Sequence, residues 1–158
     1  MAANPAYIDA LKMLARRELS EAQIRQRLTR KEHTDADIDD AVARLKDERA
    51  IDDTRVAEAI ARSETSLRKR GRLRVKQKIQ SAGISSSVAK KAVDDLFGDI
   101  DSDELLESAL AKRLRHGKTI EDDREFNRLY RYLVGQGFES DRVVRLLRGK
   151  KARARGES

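Results

Sequence analysis

The amino-acid sequence predicts an all-α fold, three tandem three-helix repeats forming an elongated, curved, solenoid-like array, and three observations carry that prediction. The apolar positions recur: Ile24, Leu28, His33, Ile38, Ala41, Val42 and Leu45 return 51 residues later as Val75, Ile79, Ile84, Ala89, Ala92, Val93 and Leu96. A further shift of 54 gives Leu129, Leu133, Phe138, Val143, Leu146 and Leu147 without a gap, and the last position falls on Lys150. Within each series two positions four apart precede a turn, and spacings of 3, 1 and 3 follow it, the period of two amphipathic helices joined by a short connection. Composition agrees. Of 158 residues 40% are charged and 4% aromatic, with 8 Gly and 1 Pro, and 20 of the 61 apolar residues are alanine. Leu, Ile, Val and Phe total 36, about 23% of the chain and just above the roughly 20% below which disorder is the default. So thin a core suits small helical units that stack and share apolar surface.

The elements follow in order from their start and stop signals. Asn4-Pro5 opens a first helix over 6–18, and Ser20-Glu-Ala-Gln23 is a capping box for a second over 20–31. Thr34 or Asp35 caps the third, 35–48, and Asp52 or Asp53 the fourth, 53–68. Gly71 precedes a fifth over 72–82, and Ser85 or Ser86 a sixth over 86–97. The last three run over 102–116, 121–136 and 140–149, with Gly98, Gly117 and Gly149 where helices should end. Gly83 and Gly137 occupy equivalent turn positions, as a left-handed helix cap requires, whereas the first repeat has Glu32 there and must adopt that conformation at a steric cost. The units read as 1–50, 51–98 and 99–149, followed by a basic tail over 150–158. The first-to-second-helix connection lengthens along the chain, so longer helices or loops are expected in the later repeats.

Composition also excludes chemistry. With no Cys and 2 His, disulfides, iron-sulfur clusters, thiol catalysis and cysteine zinc sites are ruled out, and no metal or cofactor is expected. The closely spaced Asp35, Asp37, Asp39 and Asp40 lack the Gly and terminal Glu of a calcium loop. Neither His33 nor His116 has a nucleophile or an orienting acid at catalytic spacing, and no Gly-rich phosphate loop exists, so an enzyme is not expected. No apolar run approaches a membrane span, and the N-terminus carries no targeting pattern. A soluble, cytoplasmic monomer is the expectation.

Charge is segregated by element. Residues 12–31 hold seven basic and two acidic groups, and 35–58 hold four basic and nine acidic. From Thr65 to Val93 there are nine bases and no acid, and from Asp94 to Glu107 seven acids and no base. The densest run, Arg68, Lys69, Arg70, Arg72, Arg74, Lys76 and Lys78, surrounds a buried stripe of Val75, Ile79 and Ala82, with Arg72 and Lys76 on one flank and Arg74 and Lys78 on the other. Such a helix is often no more than a solvated face, but this run lacks the acidic partners that usually accompany one. With a net charge of +7, the run is the candidate contact for a polyanion or an acidic protein surface. It contains no aromatic, which argues against a single-strand binder built on base stacking. The acids Asp52, Asp53, Asp101, Asp103 and Glu104 sit in first turns, where they complement the helix dipole.

The second repeat carries a more specific signal. Ile51-Asp-Asp-Thr-Arg-Val-Ala-Glu-Ala-Ile-Ala-Arg-Ser63, followed by Gly71-Arg-Leu-Arg-Val-Lys-Gln-Lys-Ile-Gln-Ser-Ala-Gly-Ile84, resembles the RecX family of bacterial recombinase regulators. Leu14-Ala-Arg-Arg-Glu-Leu-Ser-Glu-Ala-Gln-Ile24 is similar to that family's opening and Tyr132-Leu-Val-Gly-Gln-Gly-Phe-Glu-Ser-Asp141 to its close, so the resemblance spans roughly residues 6–149. Asp52, Asp53, Arg55, Arg74 and Gly83 match the family motif. The chain departs from it at Val56, where the family usually has an aromatic, at Arg72-Leu73, where it has Gly-Pro, and at Glu32-His33, where it has Gly and an aromatic. The resemblance implies a non-enzymatic protein that lodges in the groove of the RecA recombinase filament on single-stranded DNA. Such a protein limits strand exchange, ATP hydrolysis and cleavage of the SOS repressor. The alternative is direct DNA binding by helix-turn-helix-like repeats. A weak direct DNA contact is expected in either case, with Lys150, Lys151, Arg153 and Arg155 of a mobile tail as its candidates.

Overall fold

The computed structural model describes residues 3–152. Among them the chain forms nine helices and no strand: α1 (Pro5–Arg16), α2 (Glu21–Arg30), α3 (Asp35–Asp47), α4 (Asp53–Ser66), α5 (Arg72–Ser81), α6 (Ser86–Asp99), α7 (Ser102–Ala111), α8 (Asp123–Gly135) and α9 (Ser140–Lys150). Most of the helices begin where short polar side chains relieve the unpaired amides of a first turn. The Asn4 side chain accepts from the Ala6 amide at 2.9 Å with Pro5 at the first helical position, and Ser20 and Gln23 close a reciprocal capping box. Thr34, Asp52 and Asp101 cap α3, α4 and α7 through their side-chain oxygens. Asp122, which no spacing signal marked, does the same for α8, accepting from the Glu125 amide at 2.8 Å.

By internal contacts the chain divides into two compact units, residues up to Ile60 with Lys78–Ala92, and Ala61–Gln77 with the residues from Val93 onward. The division runs through α4, α5 and α6. In the first unit a core of Ala6, Ala10, Leu19, Ile24, Leu28, Ile38, Val42 and Leu45 joins α1, α2 and α3. The second unit has its own core, with Leu106, Leu110, Leu129, Leu133, Val143 and Leu147 from α7, α8 and α9.

One junction occurs in each unit at positions related by the sequence repeat. In the first, the buried Ser20 hydroxyl donates to the Ala82 carbonyl at 2.5 Å, the Asp53 carboxylate accepts from the Glu21 amide at 2.9 Å, and Gly83, at φ +81°, lies against Ala22. In the second, the Gly71 amide donates to the Gln136 carbonyl at 2.8 Å and the Leu73 amide to the Gly137 carbonyl at 3.1 Å. α5 has no acid in its first turn, and these two carbonyls take the place of a capping side chain. The approach is close enough to require glycine: a Cβ on Gly71 would meet the Gly137 carbonyl carbon at 2.6 Å, and one on Gly137, at φ +101°, would collide with the Arg74 backbone nitrogen. Glu32, at the position equivalent to Gly83, takes the left-handed conformation at φ 64°.

Two expectations change. α7 ends at Ala111 and not near 116, because its last amides fold back three residues (Lys112 to Ala109 at 3.3 Å, Arg113 to Leu110 at 2.9 Å) and Leu114 is buried beneath the turn. The longer connection of the third repeat is therefore a loop, anchored by the buried Ile120. Lys150 and Lys151, the first residues of the expected tail, are also held by the fold. Lys150 closes α9, its carbonyl accepts from the Ile120 amide at 2.8 Å, and the Ala152 amide donates back to Ile120 at 2.9 Å. Arg153 and Arg155 lie outside the described residues.

The junction yields a stability contrast between two glycines. Gly71→Ala should lower the free energy of unfolding by about 3 kcal/mol, because rigid backbone must move to admit the methyl. Gly98→Ala, in α6 with nothing within 4 Å of its added carbon, should be neutral or stabilising by up to about 1 kcal/mol. Urea denaturation of the full chain followed by circular dichroism measures both.

Candidate functional site

The basic run spans the connection between α4 and α5, and α5 itself. Val75, Ile79 and Ala82 are buried, as the helical period requires. The outermost face of α5 is not basic, however. Leu73, at 59% exposure, with Gln77 and Gln80 forms a neutral ridge, and the cations lie on its flanks.

The seven cations divide by their partners, and here the absence of acid within the run misleads. Glu64, 4% exposed at the end of α4, lies 3.2 Å from Arg70 and 3.9 Å from Arg68. Glu64 Oε2 and the Arg70 Nε are buried without a directed hydrogen bond among the described residues, so the two side chains meet through charge. Arg72 forms an ion pair with Asp94 of α6. Arg74 packs on Gly137 and donates to the Gln77 side chain at 3.0 Å. Lys69 stands at φ 53°, where the Arg70 amide reaches back to the Glu64 carbonyl at 3.0 Å and closes α4. Among the described residues, Lys76 and Lys78 have no carboxylate partner. They are the two cations of the run whose side chains the fold leaves uncommitted on α5.

The family-motif acids and Arg55 prove to be fasteners. Asp52 caps α4, bonding to the Thr54 and Arg55 amides at 3.0 and 3.2 Å, while Asp53 reaches the first turn of α2. Arg55 pairs with Glu18 and donates to the Arg49 carbonyl at 3.0 Å, which pins the α3–α4 turn to the approach of α2. In the expected tail, Lys150 lies 3.5 Å from Glu107, and Lys151 lies 3.1 Å from Asp123 and over the Phe126 ring. These two are tied to the fold.

A second basic locus has no counterpart among the sequence candidates. Lys12, Arg16 and Arg17 from α1 and its end, with Arg27, Arg30 and Lys31 from α2 and its end, line one groove of about 530 Å³ that also holds Asp9 and Met13. Asp9 is engaged by the His33 ring at 2.7 Å, and that hydrogen bond, with Lys31 and Lys12 nearby, holds its carboxyl below the usual carboxylate range. The seven-to-two charge imbalance over 12–31 was the available signal, but no unbroken run drew attention to it. Among the described residues no cluster of His, Cys, Asp or Glu could hold a metal ion, and no helix is long and apolar enough to cross a membrane.

Comparison with known proteins bears on what these surfaces serve. Residues 6–45 match the RecX first three-helix domain and residues 52–93 the RecX second three-helix domain. The chain belongs to the RecX family. Regulatory protein RecX of Halorhodospira halophila is 31% identical over 90% of this chain and 86% of its own length. That of Syntrophotalea carbinolica is 31% identical over 85% and 89%. The crystal structure of RecX from Lactobacillus salivarius has the same fold, with a TM-score of 0.72 at 22% identity over 91% of this chain and 93% of that one. A second regulatory protein RecX superposes at a TM-score of 0.77 with 20% identity, covering 91% and 70%. The family is one of regulatory proteins and is not an enzyme family.

The division of the basic run has a direct consequence for stability. Arg70→Ala strands the buried Glu64 carboxylate and should cost about 2 to 3 kcal/mol, whereas Lys78→Ala should stay within about 0.5 kcal/mol. Thermal and urea unfolding of the two variants compare them directly.

Proposed function

We propose that this protein is a cytoplasmic, non-enzymatic regulator that binds the RecA recombinase filament on single-stranded DNA and limits its strand exchange, ATP hydrolysis and co-protease action. The observation that carries the reading is the pair of adjoining matches to the first and second RecX three-helix domains, in order and nearly end to end. The proposed architecture is three tandem repeats, 1–50, 51–98 and 99–149, with α5 in the middle one. Lys76 and Lys78 supply the charge through which α5 meets an acidic or phosphate-bearing groove. Arg68, Arg70, Arg72 and Arg74 serve by holding α5 in place. A modular chain of this kind can touch several protomers of a filament, so that modest contacts add through effective concentration.

Filament ATPase and strand exchange measured with substoichiometric protein test the reading. Both activities should fall, and Lys76→Glu with Lys78→Glu should slow association with the filament about tenfold at low salt while the helical spectrum stays unchanged. Full ATPase and strand exchange in the presence of the wild-type protein would overturn the proposal. Unchanged association by the folded double variant would remove α5 from the contact.

A further inference from the structure

The α1–α2 groove of the first unit is a different surface from α5, and nothing in the reading above uses it. Six cations converge on it, four of them arginines, and among the described residues none has a carboxylate within ion-pairing distance. Elsewhere the fold pairs its cations readily: Arg25 of the same helix meets Asp39 at 2.7 Å, and Arg44 meets Glu48 at 2.9 Å. A helix C-terminus favours a cation in its last turn, which accounts for Arg16 and for Arg27 or Arg30. It does not account for the convergence of Lys12, Arg17 and Lys31 on the same groove. The lone acid in the lining, Asp9, is already held by His33.

We propose that this groove binds the phosphodiester backbone of a nucleic-acid strand. The lining decides between that ligand and an acidic protein segment. A protein interface concentrates its affinity in a core depleted of charge and built from apolar anchors, yet Met13 is the single apolar side chain here. Cations along nearly the whole wall suit a ligand charged at every repeat. Arginine adds a planar fork that engages phosphate oxygens in pairs. No aromatic side chain lines the groove, so bases have no stacking platform and the contact is indifferent to sequence. The volume, about 530 Å³ and open to solvent, admits more than one phosphate.

The test uses the full chain and a fluorescein-labelled 30-nucleotide single strand, with the matching duplex as a second arm and no recombinase present. Anisotropy titrations at several salt concentrations give the dependence of log K on log salt. Exchanging Arg16, Arg17, Arg27 and Arg30 for Gln should weaken single-strand binding more than tenfold and flatten that slope by about 3; Lys76→Gln with Lys78→Gln should leave most of the slope in place. All four arginines lie outside the core, and circular dichroism checks the fold. Should the quadruple variant not fold, acetylation of the wild type decides: bound oligonucleotide should protect Lys12 and Lys31 and leave Lys118 reactive. Stronger binding of the duplex than of the single strand would assign the backbone to duplex DNA. An unchanged slope, protection confined to Lys76 and Lys78, or displacement of the strand by polyglutamate at equal charge would overturn the proposal. Because no recombinase is in the assay, these outcomes are independent of filament inhibition.

Discussion

The rest of the structure depends on one constraint: the first turn of a middle helix must lie directly on the turn that follows the middle helix of the next repeat. At α5 the contact is backbone on backbone, with Gly71 and Leu73 donating to Gln136 and Gly137 across a gap that admits no Cβ at either glycine. At α2 the Asp53 carboxylate accepts from the Glu21 amide, and the Ser20 hydroxyl donates to the Ala82 carbonyl beyond the end of α5. Each solution satisfies amides that a helix start would otherwise leave unpaired, which has to be done wherever a first turn is shielded from water.

Fixing α5 in this way determines which of its charges are free. Arg72 meets Asp94 and Arg70 folds onto Glu64, while Arg74 lies against Gly137 through its backbone and Cβ and turns its guanidinium to the Gln77 side chain. The charges of Arg70 and Arg72 therefore belong to the architecture, and Lys76 and Lys78 further along α5 have no carboxylate partner among the described residues. A free ammonium on a long stem suits a reversible contact that tolerates changes of register. The α1–α2 groove differs in kind, since its arginines gather from two helices without acids to neutralise them.

Much of this was legible in the sequence. Of the repeated apolar positions, all but His33, Leu96 and Leu146 are buried, and the caps at Asn4, Ser20 and Thr34 fall where the spacing put them. These succeed because helical period and capping act over three or four residues. What failed depends on pairs distant in the chain. The basic run looked unpartnered because Glu64 and Asp94 lie outside it, and Asp53, in the first turn of α4 as its spacing placed it, also serves α2 through its carboxylate. Lys150 and Lys151 looked like tail because the buried Ile120 that ties them down lies 30 residues upstream of Lys150. The groove is hidden in the sequence because Glu18 and Glu21 interrupt its cations there but do not line it in space.

Hydrogen exchange at the Gly71 and Leu73 amides tests the central claim most directly. Amides at the start of an isolated helix exchange freely, because no carbonyl of their own helix is available to them. If the junction holds α5, both should be protected to the same degree as Val75, whose partner is the Gly71 carbonyl at 3.0 Å. Exchange of Gly71 and Leu73 at the rate of an open loop, with Val75 protected, would mean that α5 is fixed by its apolar stripe alone and that the glycine junction does not organise the fold.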